Sequence, residues 1–446
     1  MKYGQTIVYD ICRKAVGVFM RFFYWRIRIR GFNWKRLSNR PVMFVSNHQN
    51  ALMDPLFLPC YTPLRPSFLT RSDVFVPPVM DKILYTLKLL PIFRKRDGLA
   101  SPRKNRVIFN KCVQLLQDKE SILIFPEGSH DINRRLRPLK KGFADILFQA
   151  EEKSNWTLDS WIVPLMVNYE EHQMFGRDVV VLFGDPVPVS KYKELFKSEP
   201  AKAKKVLAKE MRQHMMKNLI QLDPVTHKET LKNLYEHSQE AVHGKIRKPY
   251  QRYLADKAFF DKLGAFVSNG GVEAKKLMEQ VEEYFTLKNQ LGLAGFDLSD
   301  SSSFFKMLWR IVILLIGLPI YGFGMFCNYL PYLGGKIAAD RVKDPCFKST
   351  SWFLAWMIGT LIYHSFLILI FMNSVSSKPL YVLLFWLAIV FSGRIAMAWW
   401  KLYSKLFNNF KIFSKQGDTS FQILEEMRAR LKKRFAENGL LAREGA

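Results

Sequence analysis

The chain has 446 residues, with 67 Lys plus Arg against 39 Asp plus Glu, a net charge of +28 and a hydrophobic fraction of 49%. That balance calls for an anionic and apolar partner. Nucleic acid is set aside because the basic residues flank apolar segments and there is no zinc-finger, RNP or similar signature, which leaves anionic membrane lipid.

Near the amino terminus Ile7, Val8, Ile11, Ala15, Val18, Phe19 and Phe22 recur at helical spacing, with Arg13, Lys14 and Arg21 between them and Trp25, Arg26 and Arg28 following. Residues 1–38 therefore read as an amphipathic membrane-interface helix. The interrupting charges, and the lack of a small-residue cleavage site after them, argue against a signal peptide. Short apolar runs at 41–46, 121–125, 162–165 and 179–183 read as strands buried on both faces. They alternate with helix candidates at 104–117 and 141–151. The fold class is thus α/β, a mixed sheet flanked by helices, over a catalytic domain at 39–190.

Residues 191–300 turn rich in Lys and Glu with helical periodicity and read as a helical extension; Ser301-Ser302-Ser303 follows as a linker. Residues 352–372 and 379–400 are each long enough to cross a bilayer of roughly 30 Å and predict a transmembrane hairpin within a membrane region at 301–400. His364 and Arg394 lie inside these spans and are expected to face each other, protein or the interface rather than lipid. The earlier stretch 311–333 is interrupted by Gly317, Pro319, Gly322, Gly324 and Pro331 and reads as re-entrant or interfacial. An even number of crossings keeps the catalytic part and a basic tail at 401–446 together on the cytoplasmic face. The five cysteines, Cys12, Cys60, Cys112, Cys327 and Cys346, show no metal or redox spacing and are read as reduced thiols.

Two segments concentrate chemistry at strand ends, Asn47-His48-Gln49-Asn50-Ala51-Leu52-Met53-Asp54 and Phe125-Pro126-Glu127-Gly128-Ser129-His130. In open α/β sheets ligands bind beyond the carboxyl ends of strands. On a straight helix the His48 and Asp54 side chains would point roughly 240° apart, so a contact between them requires a turn or a broken helix start, which Asn47, Asn50 and Pro55 favour.

These segments, together with Leu90-Pro91-Ile92-Phe93-Arg94 and Ile162-Val163-Pro164-Leu165, resemble in order the four motifs of the glycerophospholipid acyltransferase family, over about a third of the chain. One departure stands out: most of that family place four residues between the His and the Asp, and here there are five, a spacing tolerated by the eukaryotic-type glycerol-phosphate and dihydroxyacetone-phosphate enzymes. The resemblance implies transfer of a fatty acyl group from a thioester on coenzyme A or acyl carrier protein, with no other cofactor and no metal. The acceptor would be a hydroxyl of glycerol 3-phosphate or dihydroxyacetone phosphate, or alternatively lysophosphatidic acid.

An acyl thioester is already activated, so one imidazole that takes the proton from the attacking hydroxyl suffices. His48 is the candidate base and Asp54 the carboxylate that orients it, as in Ser-His-Asp systems. Arg94 is suited to gripping an acceptor phosphate through its guanidinium fork. Glu127 is assigned to accept hydrogen bonds from acceptor hydroxyls, and Gly128 to let the backbone approach the ligand. Lys141, ahead of Gly142, is carried over from the family's Lys-Gly pair beside the phosphate site. A serine hydrolase lacks its Gly-x-Ser-x-Gly elbow here, and a metal enzyme lacks a ligand cluster. A non-catalytic lipid-binding protein is the remaining alternative of another class.

Overall fold

The structure, a computed structural model, describes residues 3–37, 39–75, 78–93, 101–223, 225–244, 246–300 and 304–441. It divides into two compact units, Met1–Ile220 and Gln221–Ala446.

The first unit is built on an eight-stranded mixed sheet whose strands are β1 (Arg26–Arg30), β2 (Val42–Ser46), β3 (Ser67–Arg71), β4 (Leu89–Ile92), β5 (Ile122–Ile124), β6 (Trp161–Tyr169), β7 (Asp178–Phe183) and β8 (Val187–Pro188). Their order is β1-β7-β6-β2-β5-β3-β4, with β8 beside β6. β6, β2, β5, β3 and β4 run parallel to one another, while β7 and β8 are antiparallel to β6. Five carboxyl ends therefore open on one edge, where His48, Phe93 and Glu127 follow their strands. The central strands read as unbroken apolar runs because both faces are covered: Val42, Met43, Phe44 and Val45 are each at most 1% exposed. Pro164, unusual in a central strand, falls where β6 passes from β8 to β7, so its missing N–H interrupts no ladder, and its carbonyl accepts from Gly184 N at 2.8 Å.

Helices α1 (Tyr3–Phe23), α2 (Met53–Tyr61), α3 (Ser101–Gln117), α4 (Gly142–Lys153) and α5 (Pro200–Met216) complete this unit. α1 is fixed to α2 through Tyr61 Oη donating to the Gly17 carbonyl (2.9 Å) and Arg13 donating to the carbonyls of Pro59 and Thr62 (2.9 and 2.8 Å). Its outward face leaves Ile7, Val8, Ile11 and Val18 exposed, interleaved with exposed Lys14 and Arg21. β1 and β3 have no counterpart in the sequence reading. The Arg-Ile-Arg-Ile-Arg of β1 carries three charges, one neutralised across the sheet by Arg26 on Asp178 (2.5 Å).

The second unit begins with helices α6 (Lys228–Glu236), α7 (Pro249–Ser268) and α8 (Val272–Gln290) and ends with α12 (Thr419–Glu437). Between them run α9 (Phe304–Asp340), α10 (Lys348–Ser374) and α11 (Pro379–Lys415), three helices long and apolar enough to cross a membrane. The stretch expected to be broken at 311–333 is instead part of the continuous α9, with Pro319 and Pro331 inside it. Neighbouring helices stabilise such prolines, and the glycines serve close packing. A Cβ on Gly324 would lie 2.5 Å from the Ser392 carbonyl, and one on Gly335 would lie 2.6 Å from the Trp352 ring.

Helix α9 packs antiparallel to α11 and also against α10, where Gly335 meets Trp352 and Tyr363 Oη donates to the Phe326 carbonyl (3.0 Å). Met307 packs with Leu406, Trp399 Nε1 donates to the Leu314 carbonyl (2.9 Å), and Asn328 Nδ2 donates to the Ile389 carbonyl (3.1 Å). The start of α9 thus lies beside the end of α11. The basic segment after 401 is likewise no free tail, since α12 buries Leu424, Leu431 and Phe435 and stacks Phe435 edge-on to Phe259 of α7.

Candidate active site

The site grows from the loop that leaves β2. Asn47 continues the ladder with its side chain: Oδ1 accepts from Val167 N (2.9 Å) and Nδ2 donates to the Val167 carbonyl (3.0 Å), binding the loop to β6. The chain then turns through Ala51 at φ +38°, and α2 starts at Met53, whose N–H bonds to the Asn50 carbonyl (2.8 Å). This is the broken helix start that a His-Asp contact across six residues demands. Asp54, fully buried, accepts four hydrogen bonds. Oδ2 takes His48 Nδ1 at 2.9 Å and the backbone N–H groups of Gln49 and Asn50 at 2.8 Å each, and Oδ1 takes the Tyr169 hydroxyl at 2.6 Å.

The two backbone N–H groups make Oδ2 an acceptor, so His48 Nδ1 donates to it, and in the neutral ring Nε2 then presents a lone pair. The imidazole stacks on Phe125 at 4.2 Å between ring centroids, with His130 edge-on at 5.7 Å, and its side chain remains 19% exposed, enough to be reached from solvent. An imidazole oriented in this way through Nδ1 is, in its neutral form, equipped at Nε2 to take a proton from a hydroxyl.

Behind this pair lies a buried amide network. Gln49 Oε1 meets His172 Nε2 at 3.2 Å, Gln49 Nε2 donates to the Asn133 carbonyl (2.8 Å), and Asn50 Nδ2 donates to the His172 carbonyl (2.9 Å). Burial, with Arg134 nearby, holds His172 well below the ordinary imidazole range, so it stays neutral. Burial and then the Asp54 charge hold the Tyr169 phenol far above its usual range, so it remains a donor.

The structure brings Glu127 beside His48 but with its oxygens already engaged. Oε1 accepts from His48 N (3.0 Å), and Oε2 accepts from Arg137 N and Nε (both 3.1 Å). Only 5% exposed, Glu127 clamps the two loops together rather than standing open as a hydroxyl acceptor. Gly128, at φ +74°, closes the Phe125–Gly128 turn, and a Cβ there would fall 2.2 Å from Lys140 Nζ. The lysine that leans on this turn is thus Lys140, while Lys141 is exposed one residue on, at the N-cap of α4. Arg137 joins it, donating to Ser129 Oγ at 2.7 Å. Arg94 lies outside the described residues; Phe93 before it is held at both backbone groups by the Asn105 side chain (2.8 and 2.7 Å).

Tyr169, Arg137 and Lys140 were not singled out in the sequence. For the two cations a signal was present in Arg137-Pro138-Leu139-Lys140-Lys141-Gly142; for Tyr169, 115 residues downstream of Asp54 at the far end of a strand, there was none.

An acyltransferase family model matches residues 26–168. The 1-acyl-sn-glycerol-3-phosphate acyltransferase LPAT1, chloroplastic, of Arabidopsis thaliana is 29% identical over 123 residues, covering 27% of this chain and 32% of that relative. The enzyme BAT2, chloroplastic, of the same description from Brassica napus is 29% identical over 123 residues, covering 27% of this chain and 33% of its own length. The chain spans about a third of the length of the curated relatives it matches. Among solved structures, the crystal structure of the 1-acyl-sn-glycerophosphate (LPA) acyltransferase PlsC from Thermotoga maritima aligns with a TM-score of 0.34 and 17% identity, over 48% of this chain and 83% of that one.

Asp54→Ala would strand four buried donors at once, so we expect it to destabilise the first unit by about 3 kcal/mol. Thermal unfolding of the full chain in detergent checks this; an unchanged first transition would show that the carboxylate does not hold the loop.

Proposed function

We propose, for a chain that belongs to the glycerophospholipid acyltransferase family through residues 26–168, that it moves a fatty acyl group from a thioester onto a free hydroxyl of a phosphate-bearing glycerol backbone. The observation that carries this reading is the His48 Nδ1 to Asp54 Oδ2 contact of 2.9 Å at the carboxyl-end edge of the sheet. His48 Nε2 takes the hydroxyl proton as the oxygen attacks the thioester carbonyl. The tetrahedral adduct collapses, the C–S bond breaks, and the thiolate leaves with the proton returned by His48. No acyl-enzyme is needed. Lys140 and Arg137, set on the turn that follows β5, supply cations for the acceptor phosphate, with Arg94 in the same role as a proposal from its sequence alone. The named relatives favour 1-acylglycerol 3-phosphate as acceptor; the five-residue His-Asp spacing favours glycerol 3-phosphate or dihydroxyacetone phosphate.

We expect His48→Ala to lower turnover at least about a hundredfold, measured on membranes given labelled acyl-coenzyme A, or acyl carrier protein in its place, with each acceptor in turn. Retained turnover removes His48 as the base. In the same assay Lys140→Ala should raise the acceptor KM several-fold, roughly the loss of one charge-assisted phosphate contact, and an unchanged KM removes Lys140 from the phosphate site.

The outward face of α1 supports a seat in the membrane interface on the cytoplasmic side, with Ile11 62% and Val18 55% exposed between Lys14 and Arg21. A nitroxide placed on Ile11→Cys should collide with lipid-soluble oxygen more often than with a water-soluble relaxant. Water-like exposure would overturn the seat.

A further inference from the structure

We propose that Tyr169 is a positioning residue for this reaction: from the end of β6 its hydroxyl holds Asp54, so that His48, Asp54 and Tyr169 act as one hydrogen-bonded chain. The inference rests on His48 being the base.

Tyr169 is fully buried, and its hydroxyl donates to Asp54 Oδ1 at 2.6 Å. The ring is confined on several sides, with centroids 6.2 Å from Tyr24, 6.1 Å from Phe57 and 5.1 Å from His172. Its backbone is set by the sheet, Tyr169 standing opposite Val179 of β7. The donor therefore comes from a strand, the least mobile kind of support a site can have, whereas the other three donors to Asp54 come from the loop it closes. Without the phenol those three all pull on Oδ2, and no other donor among the described residues reaches Oδ1 to fix the rotation of the carboxylate about its Cβ–Cγ bond.

A second consequence is electrostatic. A hydrogen bond to Oδ1 draws off part of the carboxylate charge that would otherwise act on the imidazolium, so Tyr169 tempers the basicity that Asp54 confers on His48. Other titratable groups around this chain are Tyr24, whose phenol also feels the Asp54 charge, His172, 5.1 Å from the Tyr169 ring and kept neutral by burial, and His130, edge-on to His48. Glu127 meets His48 only through the backbone N–H.

The test compares full-length wild type, Tyr169→Phe, His48→Ala and Tyr192→Phe in membranes, reading kcat, acceptor KM, the pH–rate profile and thermal unfolding. Tyr192 donates to Glu210 at 2.8 Å and serves as a control for the loss of a tyrosine hydroxyl elsewhere in the unit. Phenylalanine keeps the ring contacts of Tyr169, so the variant is expected to fold, with a modestly lower Tm. We expect Tyr169→Phe to lower kcat about tenfold with KM within about twofold, and to move the acid limb of kcat/KM to higher pH, because His48 then holds its proton more tightly. Tyr192→Phe should leave both unmoved. A Tyr169→Phe protein with an unmoved acid limb and wild-type kcat, or one whose loss Tyr192→Phe reproduces, overturns the positioning role. Activity surviving in His48→Ala overturns instead the reading on which it rests.

Discussion

The carboxylate of Asp54 is the constraint on which the site depends. A buried carboxylate is tolerated only where donors replace its lost hydration, and here they come from three directions: the imidazole it orients, the backbone of the loop it closes, and a strand across the sheet. Satisfying it leaves the Gln49 and Asn50 N–H groups little freedom, which fixes the path from β2 into α2. The amide side chains extend the same logic outward. Where β2 ends and the ladder to β6 would stop, Asn47 offers Val167 the donor and acceptor that a further strand residue would have supplied. His48 is held by hydrogen bonds that begin in the sheet.

The charges around His48 are sorted by depth. Asp54 and Glu127 lie within, each with donors on both oxygens, and the cations Arg137 and Lys140 lean on the turn nearer solvent. The inner carboxylates set tautomer and loop geometry. The outer cations give the open nitrogen of His48 a neighbourhood attractive to an anionic ligand. Glu127 belongs to the first group, because both of its oxygens are committed before any ligand arrives.

The sequence carried much of this and stopped at identifiable points. Strands β2, β5, β6 and β7 are legible as apolar runs since both faces of the sheet are covered, and His48 and Glu127 follow from their places at strand ends. β1 was not legible, because its alternating arginines read as the polar trailing edge of α1 and only the pairing with β7 makes it a strand. Tyr169 was not legible for a different reason: its partner is remote in sequence, and a tyrosine ending a buried strand carries no mark of what its hydroxyl meets. In the second unit, proline and glycine in 311–333 read as breaks by rules for helices in water. Packed against α11, Gly317 and Gly324 are instead places where the helices approach closely.

The extra residue between His48 and Asp54 is absorbed within the loop. Ala51 takes the left-handed conformation at φ +38°, the N–H of Met53 closes on the Asn50 carbonyl, and the imidazole still reaches the carboxylate at 2.9 Å. A left-handed alanine is strained, and the two backbone donors to Asp54 on its amino-terminal side are what offset that strain. The five-residue loop thus still delivers the His-Asp contact. This spacing therefore bears first on how the loop is closed. On the proposed reading, a preference between a small glycerol phosphate and a lysolipid would arise where the acceptors differ, at Arg137 and Lys140 and wherever a second chain would lie.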